Sequence, residues 1–104
     1  MTEARNLKST ADVRQEAIDA HQKNDLKLAQ SLYRIYLQKR PNDAAIWSNT
    51  GALFRKEKKY DLAAASQSRA LELEPNSASV MNNAANAFYD AGRIKDAIEL
   101  RKKS

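Results

Sequence analysis

Apolar residues recur along this chain at intervals of three and four, in six stretches separated by polar or glycine-containing breaks. That spacing is the mark of amphipathic helices that each bury one stripe. Val13, Ala17, Ile18 and Ala20 define a first helix from about Ala11 to Lys23, closed by a turn at Asn24-Asp25. Leu28, Ala29, Leu32, Tyr33, Tyr36 and Leu37 define a second, from Leu26 to about Lys39. It must stop before Pro41, because a proline denies the helical region to the residue ahead of it. Asp43 is placed to cap a third helix carrying Ile46, Trp47, Thr50, Gly51, Leu53 and Phe54. A basic turn at Lys58-Lys59 leads into a fourth with Tyr60, Leu62, Ala63, Ala64, Ala70, Leu71 and Leu73, ended by Pro75. Ser77 is the candidate cap of a fifth, with Val80, Met81, Ala84, Ala85 and Phe88 as its stripe. Gly92 then makes the turn into a last helix that opens with Ile94, Ala97, Ile98 and Leu100.

The six helices pair into three hairpins, and the pairs repeat. Pro41 and Pro75, each followed by Asn, close two similar helical stretches at a period of 34 residues, the signature of stacked helical hairpins. Trp47-x2-Thr50-Gly51-x2-Phe54, then Ala63, Ala70 and Pro75, resembles the tetratricopeptide pattern, with Thr50 in place of the usual Leu and Gln67 in place of the usual aromatic. One period back the same slots hold Val13, Ala17, Ala20, Ala29, Tyr33 and Pro41, and one period forward Met81, Ala85, Phe88 and Ala97. Ala17, Gly51 and Ala85 have a physical reason to be small, since two helices approach closely only where neither carries a bulky side chain. The resemblance covers about residues 10–104. It implies an all-α fold of stacked antiparallel hairpins in a right-handed superhelix, with repeats at about 10–43, 44–77 and an incomplete 78–104 behind a polar tail at 1–9. An unrelated helical bundle is the alternative. A full third repeat would run past Ser104 to another proline, so the face around Ile98 is expected to be exposed and to drive self-association.

Composition narrows the function. A chain of 104 residues, 42% hydrophobic and 30% charged with two Gly and two Pro, is expected to be one small helical domain. There is no cysteine, so packing alone must hold it. No apolar run approaches the roughly 18 residues of a membrane span, and MTEARNLKST lacks the apolar stretch of a secretory signal; a cytoplasmic location is the expectation. The formal net charge is +5. Its densest groups, Arg55, Lys56, Lys58 and Lys59, and Arg101 to Lys103, fall at helix ends, where cations are favoured anyway. Nucleic-acid binding through these basic ends therefore ranks last among the readings.

Catalytic chemistry finds little to work with. His21 is the only histidine, which removes paired-histidine metal and nucleophile arrangements. Asp19, Asp25, Asp61, Asp90 and Asp96 are scattered over turns and helix starts, where capping accounts for them. With two glycines there is no phosphate-binding loop. Tyr33 and Tyr36 are expected in the inter-helix core rather than on a base-stacking platform. No catalytic centre, metal or cofactor is expected in this chain.

What the resemblance implies instead is a concave groove, lined by the first helix of each pair, that takes a peptide. The groove-facing candidates are Arg14, Gln15, Ile18 and His21 in the first repeat, Ala45, Ser48, Asn49, Ala52 and Arg55 in the second, and Ser79, Asn82, Asn83, Asn86 and Tyr89 in the third. Asn49 and Asn83 occupy equivalent slots and Asn86 lies one turn further on, so the three are expected on one face. An Asn amide both donates and accepts, which suits it to a peptide main chain; Arg14, Arg55 and Tyr89 would then bias the choice of side chains. The chaperone-tail clamp of some family members is disfavoured. Asn49 matches it and Arg14 can replace its first cation, but Ile18, Ser79 and Asn83 stand where it needs an Asn and two cations. The expectation is a protein-interaction module with an adaptor role. Its alternative is the substrate-recruiting arm of a larger glycosyl-, sulfo- or methyltransferase.

Overall fold

The computed structural model describes residues 9–103. Six helices follow one another: α1 (Thr10–Gln22), α2 (Leu26–Lys39), α3 (Ala44–Lys56), α4 (Tyr60–Leu73), α5 (Ala78–Asp90) and α6 (Ile94–Lys103). The period read from the prolines governs every boundary. α1, α3 and α5 begin 34 residues apart, as do α2, α4 and α6, so each hairpin is built to one plan.

The hairpin turns show why three residues suffice to reverse the chain. Asn24, Lys58 and Gly92 have φ of 65°, 63° and 83°, one period apart. In each turn the next residue's N–H reaches back five places: Asp25 to the Ala20 carbonyl at 2.8 Å, Lys59 to Phe54 at 2.9 Å and Arg93 to Phe88 at 2.8 Å. The left-handed residue itself bonds the carbonyl three back, on His21, Arg55 and Tyr89 respectively. This paired closure satisfies the orphan carbonyls of a helix end and needs a positive φ at its pivot. Glycine supplies that at no cost in Gly92 and asparagine at little cost in Asn24, whereas Lys58 adopts it against its own preference.

The helix starts are capped as chemistry directs. The hydroxyl of Ser9 accepts from the Asp12 amide, Asp25 from Leu28, Asp43 from Ile46 and Ser77 from Val80. Ser9 thus belongs to α1 as its cap, and the rest of the polar tail expected at 1–9 lies outside the described residues. Lys59, the residue before α4, provides no side-chain cap. Two of the acidic residues expected to cap do otherwise: Asp19 accepts from Gln15 Nε2, and Asp90 pairs with Arg55.

The described residues fall into two compact units that divide after Pro41. In the first, α1 packs on α2, and Ala17, Ala20, Ala29, Tyr33, Tyr36 and Leu37 are buried. His21 Nδ1 and the Tyr33 hydroxyl share a hydrogen bond of 2.8 Å, with the rings edge to face, so the lone histidine is packed against the core tyrosine. In the second, α3 packs on α4, α4 on α5, α5 on α6, and α3 on α5. Its larger core gathers Ala64, Met81, Ala84, Ala85, Phe88, Ala97 and Leu100, and a smaller one joins Ala44, Ala70 and Val80 beneath Trp47, Leu71 and Leu73. The predominance of alanine is what lets helices of this length approach each other so closely.

Four apolar residues of the helix stripes are exposed, three of them against expectation. Leu28 is 41% and Leu62 50% accessible, and on α6 so are Ile94 and Ile98, the latter at 51% as expected for that face. Leu28 and Leu62 lie one period apart at the third position of their helices, a register that points away from the partner helix. Thr50, in the slot of the usual Leu, is buried and donates its hydroxyl to the Ile46 carbonyl at 2.8 Å.

Candidate functional site

The second unit holds a concavity of about 390 Å³ between α3 and α5, floored by the start of α4. α3 contributes Gly51, Ala52, Arg55 and Lys56, and the following turn Lys58; α4 contributes Tyr60 and Gln67, and α5 contributes Asn83, Asn86, Ala87 and Asp90. The positions on α3 and α5 recur at three- and four-residue steps because a helix turns the same face outward at that interval.

Beneath the concavity lies a polar relay that crosses three helices. Gln67 on α4 is 1% exposed. Its Nε2 donates to the backbone carbonyl of Ser48 on α3 at 2.9 Å, and its Oε1 accepts from the Ser48 hydroxyl at 3.0 Å. The Ser48 oxygen in turn accepts from Nδ2 of Asn83 on α5 at 3.0 Å. The glutamine lies directly over Gly51, where a β-carbon would stand 2.6 Å from Nε2. Gly51 is therefore small for a specific reason: it makes room for an amide that occupies the slot of the usual aromatic. Each buried polar group in the relay is bonded, which is the condition for burying amides at tolerable cost.

Charge at the rim is mixed. Arg55 forms an ion pair with Asp90 across the concavity, joining α3 to α5. Lys56 and Lys58 are exposed, and Asp90 is the only acidic group in the lining. On the far side of Asn86, Arg101 of α6 donates from Nη2 to Oδ1 at 2.6 Å.

Of the groove-facing candidates singled out in the sequence, the concavity brings together Ala52, Arg55, Asn83 and Asn86, whereas Ser48 is buried rather than groove-facing. Asn49, half-buried on α3, and Asn82 and Tyr89, exposed on α5, stand outside its lining, Tyr89 at 62% exposure. Arg14 is half-buried on α1 of the first unit. Sequence reasoning did not place Lys56, Lys58, Tyr60, Gln67, Ala87 or Asp90 on the groove face. Lys58 and Tyr60 flank a turn rather than following the helical register of the groove face. Gln67 was visible only as an anomaly in the repeat, and Asp90 only as a candidate cap.

Among the described residues no cluster of three or more His, Asp or Glu is arranged to hold a metal ion, and no helix is long and apolar enough to cross a membrane.

A family model described as tetratricopeptide repeat matches residues 14–78 and, overlapping it, 60–102. No curated protein sequence matches the chain. Its fold is similar to that of a MamA mutant, with a TM-score of 0.86 at 22% identity over 96% of this chain and 55% of that one. It is also similar to the Sgt2 TPR domain from Aspergillus fumigatus, with a TM-score of 0.82 at 21% identity over 90% of this chain and 62% of that one. A third similar structure is the TPR2B domain of yeast Sti1 in its complex with pHsp70, with a TM-score of 0.80 at 25% identity over 88% of this chain and 73% of that one. The chain thus spans between about half and three quarters of the length of these structures.

Proposed function

The chain belongs to the tetratricopeptide repeat family, and from that premise we propose that its second unit binds an extended segment of another protein in the concavity between α3 and α5. The observation that carries this reading is the lining itself. Two half-buried asparagine amides stand on α5 facing a rim of Arg55, Lys56 and Lys58. Amides match the donors and acceptors that every peptide main chain offers, and a rim with three cations against one carboxylate favours acidic side chains beside that main chain. The structural likeness to a domain in complex with pHsp70 supports protein binding as the use of such a surface. The family is one of interaction scaffolds, and an adaptor role follows from it.

Charge alone would also suit nucleic acid, but several of the arginines are already paired locally. Arg55 pairs with Asp90, Arg69 with Glu72 and Arg93 with Asp96, and such pairing weakens the pull of these cations on a phosphate backbone.

The test is a titration followed by fluorescence anisotropy, using a labelled, end-capped peptide of alternating Glu and Ala, with the Lys-Ala counterpart as control. The acidic peptide is expected to bind about tenfold more tightly than the basic one, a difference of roughly 1.4 kcal/mol. The paired change Lys56→Ser and Lys58→Ser is expected to remove most of that preference. Failure of the acidic peptide to bind, or a preference for the basic one, would overturn the reading.

A further inference from the structure

The relay below the concavity fixes more than stability, because it dictates which end of each amide faces the ligand. One group in the relay has no choice of role. The backbone carbonyl of Ser48 can only accept, so the atom of Gln67 that meets it at 2.9 Å is Nε2. The other end of the Gln67 amide is then Oε1, which can only accept, so the Ser48 hydroxyl 3.0 Å away must give it its single proton. With that proton committed, the Ser48 oxygen has only lone pairs to offer, and Asn83 must turn Nδ2 toward it. Oδ1 of Asn83 is the end left over. At Asn86 the opposite holds. The guanidinium of Arg101 carries only donors, so it meets Oδ1 of Asn86 at 2.6 Å, and Nδ2 with its two protons is left over.

We infer that the two amides are held in opposite senses, so that the concavity accepts a polypeptide main chain placing an N–H at Asn83 and a C=O at Asn86. The two residues stand one turn apart on α5 and both line the concavity. An extended segment offers both kinds of group along one edge. The inference rests on the peptide-binding reading above, and it makes Ser48 and Gln67 positioning residues: both are buried, and they act through Asn83. An amide free to turn over would serve donors and acceptors alike, whereas the locked pair discriminates. A donor facing a locked donor leaves both unpaired, which is the strongest form of hydrogen-bond selectivity.

Two measurements on the whole chain separate this inference from the reading beneath it. In side-chain amide NMR spectra of the ligand-free protein, one Nδ2 proton of Asn83 is expected to exchange with solvent more slowly than those of exposed Asn82, and to lose that protection in Ser48→Ala. Equal exchange at Asn83 and Asn82 in the native chain overturns the locked orientation whether or not peptides bind. The second measurement compares the capped Glu-Ala peptide with the same peptide carrying methyl groups on alternate backbone nitrogens. The unmodified peptide is expected to bind about fivefold more tightly or better, the scale of one hydrogen bond, and Ser48→Ala is expected to bring that ratio toward one while circular dichroism stays native. Tight but equal binding of both peptides sinks the polarity alone and leaves peptide binding standing. Binding of neither sinks the peptide reading and takes the polarity with it.

Discussion

At Gly51 two effects of opposite sign compete, and their sizes decide the outcome. A glycine inside a helix is worse than alanine by up to about 1 kcal/mol, so Gly51→Ala would stabilise α3 if that helix stood alone. The added β-carbon, however, would lie 2.6 Å from Gln67 Nε2 and 2.9 Å from both Cδ and Cγ. Gln67 is bonded at both ends of its amide and enclosed. Moving it surrenders two buried bonds at roughly 1 kcal/mol each, on top of the strain of overpacking at about 1–3 kcal/mol. Gly51→Ala is therefore expected to lower stability by about 2–4 kcal/mol in urea unfolding, and a gain would show that the amide yields its place freely. Lys58 presents the reverse case. Its φ of 63° is one that glycine adopts without strain, so Lys58→Gly is expected to add up to about 1 kcal/mol, or a few degrees in Tm. Gly92 has φ of 83° and open space around a would-be β-carbon, so Gly92→Ala is expected to lose a similar amount through backbone strain alone. Thermal melts of the two variants moving in the same direction would contradict this account of the turns. Because Lys58 also lines the concavity, its replacement should stabilise the fold while weakening the acidic peptide, which separates the two roles in one variant.

The helices themselves were legible in the sequence, and the reasons are local. Period, prolines and caps all act within a few residues, so the ends of α2 before Pro41 and of α4 before Pro75, and the caps at Asp43 and Ser77, could be read directly. The turns at Asn24 and Gly92 were legible because Asn and Gly advertise a positive φ. The one at Lys58 was legible as a turn, but its left-handed backbone was not, since lysine carries no such signal. What joins one helix to the next was hidden. Gln67 meets Ser48 across 19 residues and Asn83 meets Ser48 across 35, and neither separation leaves a trace in local pattern. Hence Asn83, Asn86 and Ser48 were recognised as candidates for one face, while the bonds to Ser48 and Arg101 that set the orientation of the two amides were not. The relay between α3, α4 and α5 makes a prediction at this scale. Gln67→Leu alone strands the Ser48 hydroxyl and is expected to cost about 1–3 kcal/mol. Gln67→Leu combined with Ser48→Ala removes both partners, and because apolar replacement of a whole pair is often near neutral, the double variant is expected to be more stable than the sum of the two single changes. Simple additivity in a double-mutant cycle would mean that the relay does not act as one unit.

For the molecule as a whole, the division after Pro41 suggests where stability and binding reside. Residues 42–104 contain four helices and both of the second unit's core clusters, and about 60 residues is a length at which many domains fold alone. The first unit is one hairpin of about 30 described residues, below the roughly 40 at which an uncrosslinked chain usually sustains its own fold. A fragment of residues 42–104 is therefore expected to keep helical circular dichroism and a cooperative melt, while residues 1–41 alone are expected to be largely unfolded. Every residue lining the concavity lies in the larger fragment, and so do Ser48 and Arg101, which orient Asn83 and Asn86. The fragment is accordingly expected to bind the capped Glu-Ala peptide within about twofold of the whole chain and to keep its preference over the backbone-methylated analogue. A tenfold loss, about 1.4 kcal/mol, in a fragment that still melts cooperatively would assign part of the binding surface to the first unit and bring Arg14 back as a contact. Unchanged binding would confine recognition to the second unit, α3 to α6, and would make that unit sufficient for mapping the partner's sequence preference.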